Sequence, residues 1–205
     1  MAQRGSYAKG VAKREEILER ALEVIAREGY RGASIKELAE AVGLSQAGLL
    51  HYFDSKEELF TEILRKRDEI DVVHYGPVPP TGTDAVDLRS AYVGIIRHNS
   101  DVPGLVQLFS RLSVDAADPE HPAHQYFIER NENIRRVFQT ALAQRQAAGE
   151  LTDRVDAATL ARVFQAVADG LQIQWMLDPS VDMAATVEAL FEALTTAPAN
   201  NGSPP

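Results

Sequence analysis

The chain has 205 residues, 45% hydrophobic and 25% charged, an ordinary globular composition for one large domain or a small domain joined to a larger one. It contains no cysteine, which excludes a disulfide framework and any thiolate metal site. The formal net charge of −9 is uneven: residues 1–69 hold 12 Lys or Arg against 13 Asp or Glu, residues 70–205 hold 9 against 17, and Arg4, Lys9, Lys13 and Arg14 all precede the first acid.

That basic stretch reads either as an arm that follows phosphates or enters a minor groove, or as a solvated tail. Residues 12–28 are expected to form the first helix. Ile17, Leu18, Ala21, Leu22, Val24 and Ile25 share one face at helical spacing, and Gly29 stops it. Tyr30 then packs the corner. The stretch 34–56, SIKELAEAVGLSQAGLLHYFDSK, spells a helix, a tight turn and a second helix. Ser34 caps the first, whose apolar stripe is Ile35, Leu38, Ala39 and Val42. Gly43 supplies the left-handed stop and Leu44 plugs the corner. Ser45 caps the second helix, which is expected to carry Leu49, Tyr52 and Phe53. This order of residues points to a helix-turn-helix whose second helix enters a DNA major groove. A two-helix hairpin without a DNA role is the competing reading.

Asp54 or Ser55 caps a fourth helix running to about Val73, with Glu58 as capping-box partner and Leu59, Phe60, Ile63 and Leu64 as its apolar face. GPVPPTGTD (76–84), with three prolines and two glycines, is a loop. Further helices are expected at about 84–99, 104–116, 121–148, 156–177 and 182–196, the long one closed by Gly149-Glu150-Leu151. The tail 198–205, PANNGSPP, is disordered by composition. The expected fold is all-α, with no strand. Residues 1–55 form an N-terminal three-helix DNA-binding domain with its basic arm, joined through helix 55–73 to a larger helical domain over 56–197.

A recognition helix needs exposed polar groups near its start and phosphate anchors on either side. Ser45, Gln46, Ala47, Gly48 and His51 form the outward face. Gln46 is suited to bidentate pairing with adenine, Ala47 to a thymine methyl, and His51 to a base or a phosphate. Ser34, Tyr52 and Lys56 are the candidate phosphate anchors. Ser34 and Ser45 are caps in either case, Tyr52 also reads as a core aromatic, and Lys56 as a solvated lysine.

Over about residues 10–65 the chain resembles the TetR-type bacterial transcriptional regulators. The resemblance is carried by Ile17-Leu18 with Ala21, Gly29-Tyr30, Ser34-Ile35 with Leu38-Ala39, Gly43-Leu44-Ser45, Leu49, Tyr52-Phe53, Lys56 and Leu59. It implies a homodimer, a small-molecule pocket in the larger domain and ligand-triggered loss of DNA affinity. Two positions depart from the family. Leu50 stands where a phosphate-contacting Tyr is common, and Gly48 stands where Thr, Ser or Ala is common, weakening the helix by about 1 kcal/mol relative to Ala while letting the backbone approach DNA.

Among helices 84–148 and the start of 156–177, the candidate ligand-binding groups are Tyr92, Arg97, His98, Gln107, Arg111, Tyr126, Gln172 and Trp175, all expected to be buried or half-buried. Each alone also reads as structural, and Arg97 and Arg111 have Asp101 and Asp115 as alternative partners. Helices 156–177 and 182–196 mix small residues with bulky ones and suit a four-helix dimer interface, or an ordinary intrachain core. A two-fold dimer implies a near-palindromic operator. PEHPAH (119–124) sets His121 and His124 beside two acids, but its prolines argue against a metal. No cofactor is expected, and no nucleophile–base set supports an enzyme.

No apolar run reaches the ~18 residues of a membrane span, and no signal-type core precedes the first helix, so a soluble cytoplasmic protein is expected. The reading that results is a homodimeric repressor released from double-stranded operator DNA by a small-molecule effector. In it, the ligand displaces the helix at 104–116, and that motion swings the fourth helix. The alternatives are a constitutive or protein-regulated DNA-binding module, and a helical carrier or enzyme.

Overall fold

Among the described residues, glycines close two helices in the manner the sequence predicts, and a third glycine, Gly29, breaks α1 without ending it. Gly29, Gly43 and Gly149 all adopt positive φ, at 77°, 69° and 73°, a conformation in which any Cβ would be strained. After Gly43 the Leu44 N–H reaches Ala39 O at 2.8 Å and the Gly43 N–H reaches Glu40 O at 3.1 Å. Gly149 repeats the pattern, with Glu150 N–H to Arg145 O at 2.9 Å and Gly149 N–H to Gln146 O at 3.0 Å. Both are Schellman stops, which satisfy carbonyls the helix itself leaves bare.

The structure, a computed structural model, describes residues 2–75 and 88–195. The loop 76–84, the tail 198–205 and the side chains of Arg4 and Tyr30 lie outside the described residues. Among the described residues the helices are α1 (Ala2–Gly32, broken at Gly29), α2 (Ile35–Ala41), α3 (Gln46–Leu49), α4 (Lys56–Tyr75), α5 (Leu88–Asp101), α6 (Pro103–Asp115), α7 (His124–Ala147), α8 (Ala157–Leu177) and α9 (Met183–Leu194). One isolated bridge joins Leu151 to Thr195, and no strand is present among these residues. α1 begins at Ala2 and not at residue 12, so the basic N-terminal stretch has a helical backbone where an arm or tail was expected.

The chain divides into two compact units. The first combines Met1–His74 with His98–Arg130, and the second combines Tyr75–Arg97 with Asn131–Pro205. The core of the first is built from Ile17, Leu18, Ile25, Leu38, Leu49, Phe53, Leu59, Ile63, Leu108 and their neighbours. That of the second is aromatic. Phe164 stacks on Phe191 with ring centroids 4.2 Å apart, Tyr92 meets Phe138 edge-on at 4.6 Å, and the Tyr92 hydroxyl donates to Phe164 O at 3.1 Å. Burying such rings gives each unit its own driving force, at about 1.5–3 kcal/mol per large side chain.

The first unit also buries charge. Arg67 is 8% exposed and donates to Asn99 Oδ1, and its Nε stands 3.7 Å from Asp71 without a hydrogen bond. Beside it Asp68 accepts from the Tyr126 hydroxyl at 2.7 Å and from Arg130 Nε at 2.9 Å. Burial, and then the Asp68 charge, push the Tyr126 phenol above its ordinary value, so it stays a donor.

Candidate nucleic-acid interface

The helix-turn-helix frame is set by two serines and one leucine. Ser34 caps α2: the Glu37 N–H donates to Ser34 Oγ at 3.3 Å while the Ser34 N–H donates to Glu37 Oε2 at 2.7 Å. This is a full capping box, and the Ser-x-x-Glu spacing that signals it stands in the sequence. Ser45 caps α3, accepting from the Gly48 N–H at 3.0 Å, and Leu49 closes the single turn at 0% exposure.

The expected recognition helix is cut short. α3 ends at Leu49, and the Leu50 N–H reaches Gln46 O at 3.0 Å. The chain then tightens, with the Tyr52 N–H on Leu49 O at 3.0 Å. Tyr52, Phe53 and His51 therefore lie in the turn after α3, not on its continuation, and His51 does not extend the helix's outward face. Gly48 contributes to this, since glycine is the poorest ordinary helix former. A Cβ on Gly48 would also sit 3.2 Å from Ser45 Oγ, against the cap itself.

Around this frame Ser34, Ser45, Gln46, Ala47, His51 and Lys56 are exposed, and Gly48 and Tyr52 are half-buried. Tyr52 packs against the first unit's core, and its ring meets His51 edge-on at 6.0 Å. The Lys56 ammonium lies 5.3 Å from the Phe60 ring centre. At the start of α4 the Glu58 N–H donates to Ser55 Oγ at 2.9 Å, and the Glu58 carboxylate accepts from the Asp54 N–H, so Ser55 is the cap.

Two acids of α4 hold a cation that pattern alone does not assign to them. Arg14 donates to Glu58 at 3.0 Å and to Glu62 at 3.1 Å. Lys13 is engaged as well, at 2.8 Å from Glu16. Two of the four N-terminal cations are thus occupied within the chain.

The candidate ligand groups divide between the units. Tyr92, Arg97, Gln172 and Trp175 fall in the second unit, and His98, Gln107, Arg111 and Tyr126 in the first. Arg97, Gln107 and Arg111 are exposed, contrary to the burial expected of them. The cause is helical phase: Gln107 and Arg111, four apart, occupy the face of α6 opposite Leu105, Leu108, Phe109 and Leu112, and Arg97 lies on the side of α5 away from the buried Leu88, Ala91 and Asn99. His98 lies 3.9 Å from Asp101, and Trp175 is half-buried. Gln172 is 6% exposed, and its Oε1 has no hydrogen-bond partner. In the PEHPAH segment the histidines close turns: His121 Nδ1 accepts from the Ala123 N–H at 3.1 Å, and His124 Nδ1 lies 2.8 Å from Ala116 O.

Comparison with known proteins agrees with this geometry. The profile described as bacterial regulatory proteins of the tetR family matches residues 17–63, and that of the BetI-type transcriptional repressor C-terminal region matches residues 114–197. The chain belongs to the TetR family. It is 43% identical over 58 residues to the HTH-type transcriptional repressor AcnR of Corynebacterium efficiens, covering 28% of this chain and 31% of that one. It is 40% identical over 55 residues to the HTH-type transcriptional regulator RutR of Escherichia coli, covering 27% and 26%. The match thus spans about a third or less of the length of these TetR-family relatives. Among solved structures, Escherichia coli NemR in its reduced form superposes with a TM-score of 0.68 at 17% identity, covering 92% of this chain and 99% of that one. A TetR transcription regulator from Haloarcula marismortui gives 0.68 at 20%, covering 91% and 100%. At such identities the likeness is one of fold.

Proposed function

We propose that the chain is a DNA-binding transcriptional regulator: a homodimeric repressor that leaves a near-palindromic operator when a small molecule binds. The observation that carries this reading is the exposure of Gln46 and Ala47 on a Ser45-capped helix whose inner side is held by the buried Leu49. Side chains at the start of such a helix are free to reach base edges, while Ser34, Tyr52 and Lys56 flank it as phosphate anchors. The names of the AcnR and RutR relatives, a repressor and a regulator, support it. In this reading residues 1–55 hold the DNA-contacting part, and 56–197 hold the effector and dimer functions.

Two features support the finer claims. Val163, Ile173 and Leu177 on α8 are 38%, 52% and 84% exposed, and with Ala166 and Gly170 they make an apolar stripe at helical spacing that a second copy would cover. The partnerless Gln172 Oε1 is an acceptor that a ligand donor would satisfy. Effector binding then shifts the population away from the DNA-competent form, through α6 and α4, until the two recognition helices no longer match half-sites one helical turn apart. Among the described residues no helix is long and apolar enough to cross a membrane, in keeping with a cytoplasmic location.

The test is to select bound fragments from genomic DNA with the purified protein, then challenge the complex in a gel shift with candidate metabolites. Recovery of a two-fold symmetric site and its release by one compound are expected. In the same assay Gln46→Ala is expected to cost about 1–3 kcal/mol on the selected site and little on random DNA. Equal loss on both would remove Gln46 from base reading. The close ring packing of Tyr92, Phe138, Phe164 and Phe191 favours a second reading, a DNA-binding module without a small-molecule effector. Selected DNA that no metabolite releases would establish that alternative.

A further inference from the structure

Lys13 and Arg14 are sequence neighbours in α1, yet they reach backbone carbonyls on opposite sides of α3. Lys13 Nζ donates to Val42 O at 3.4 Å, just before the turn into α3. Arg14 Nε donates to Tyr52 O at 3.4 Å, in the turn that leaves it. The other two nitrogens of the Arg14 fork go to Glu62 at 3.1 Å and Glu58 at 3.0 Å, and the guanidinium lies 4.7 Å from the Phe53 ring centre. All three guanidinium nitrogens therefore have partners inside the chain. The Arg14, Glu58 and Glu62 side chains are 34%, 30% and 20% exposed, so the group is half-sheltered from water. A phosphate would have to displace two carboxylates to claim this arginine.

α3 has four residues, a single turn, which has no stability of its own in water. Its orientation is fixed by what grips its flanks. We propose that Arg14 is a positioning residue for DNA recognition: it clamps the segment 52–53 to α1 and to the start of α4, and so sets the angle at which Gln46 and Ala47 are presented, without touching DNA itself. The assignment rests on the DNA-binding reading above. It turns a cation that sequence alone offers to phosphate into an internal fastener, and it makes Glu58 and Glu62, acids close to a polyanion, favourable to binding.

The experiment measures binding of the full chain to the selected duplex, and its salt dependence, for Arg14→Lys and Glu62→Gln. A phosphate contact is served by either cation, whereas a three-way fork is served only by arginine. The clamp predicts that Arg14→Lys weakens specific binding by about tenfold while the slope of log K against log salt stays that of the wild type. It also predicts that Glu62→Gln weakens binding several-fold although it removes a negative charge. Wild-type affinity in Arg14→Lys, or tighter binding by Glu62→Gln, would overturn the clamp. Should Arg14→Lys fail to fold by circular dichroism, the sign of the Glu62→Gln effect decides alone. A wild-type protein that retains no duplex would instead overturn the DNA-binding reading, and the clamp with it.

Discussion

Gly104 sits so close to Ile25 that a Cβ on it would collide with the Ile25 carbonyl oxygen and stand 2.7 Å from Gly29 Cα. The start of α6 is thus laid backbone-to-backbone on the end of α1, and both neighbours are main-chain atoms that cannot rotate away. Gly104→Ala is expected to destabilise the protein by about 1–3 kcal/mol, the range of core overpacking. Gly10 is the control: it lies in α1, and a Cβ added there would meet nothing within 4 Å, so Gly10→Ala is expected to gain up to about 1 kcal/mol from helix propensity. Urea midpoints of the two variants should move in opposite directions.

The buried Arg67 yields a non-additive pair. Asn99, 2% exposed, supplies the guanidinium's close acceptor, and Asn99→Ala leaves a buried charge with only the 3.7 Å approach of Asp71. The expected cost is about 2–3 kcal/mol. Replacing both partners, Arg67→Met with Asn99→Leu, removes the guanidinium and its acceptor together and leaves Asp71, already pushed up by burial, to take a proton, and should cost less than Asn99→Ala alone. A double variant less stable than the single one would show that the polar pair contributes net stability.

Acid should loosen the cap of α2. The Ser34 hydroxyl, and then the Ser34 N–H, hold the Glu37 carboxyl below its ordinary value of 4.5. A carboxyl lowered on folding stabilises above its unfolded pKa, and that contribution fades as pH falls through the folded value. The stability difference between wild type and Glu37→Gln should therefore be constant above pH 4.5 and shrink below it. A difference that does not change across that range would mean Glu37 is not acting as a carboxylate.

Leu177, 84% exposed, and Ile173, 52% exposed, are the residues on which to test self-association. Ile173→Arg with Leu177→Glu is expected to shift a dimer to monomer in sedimentation experiments while leaving helicity unchanged, because neither side chain supports the monomer's own core. A wild-type chain that sediments as a monomer at micromolar concentration would remove the dimer from the proposal.

Most of the fold is legible in the sequence because helices announce themselves locally. Gly43 and Gly149 mark their stops, Ser34, Ser45 and Ser55 mark starts, and the stripe from Ile17 to Ile25 repeats at the helical period. What pattern cannot supply is pairing at long range. Arg14 meets Glu58 and Glu62 across 44 and 48 residues of chain, and no local rule selects those acids among others. The same limit applies to Arg97, Gln107 and Arg111. Their residue types suit a pocket, but only helical phase relative to the true core decides that they face outward. α3 is a subtler miss: the stripe Leu49, Tyr52, Phe53 fits a continuing helix and a compact turn equally well, and Gly48 favours the turn.

The residues that hold α3 and the residues it displays are different residues. Ser45, Leu49 and the flanks fasten it, while Gln46 and Ala47 project into solvent and make no contribution to the core. Substitution at those two exposed sites is nearly free of folding cost, whereas substitution beneath them is not. On the proposed reading of Gln46 and Ala47 as base contacts, a lineage carrying this scaffold can therefore change its DNA target through a handful of surface codon changes at little cost in folding.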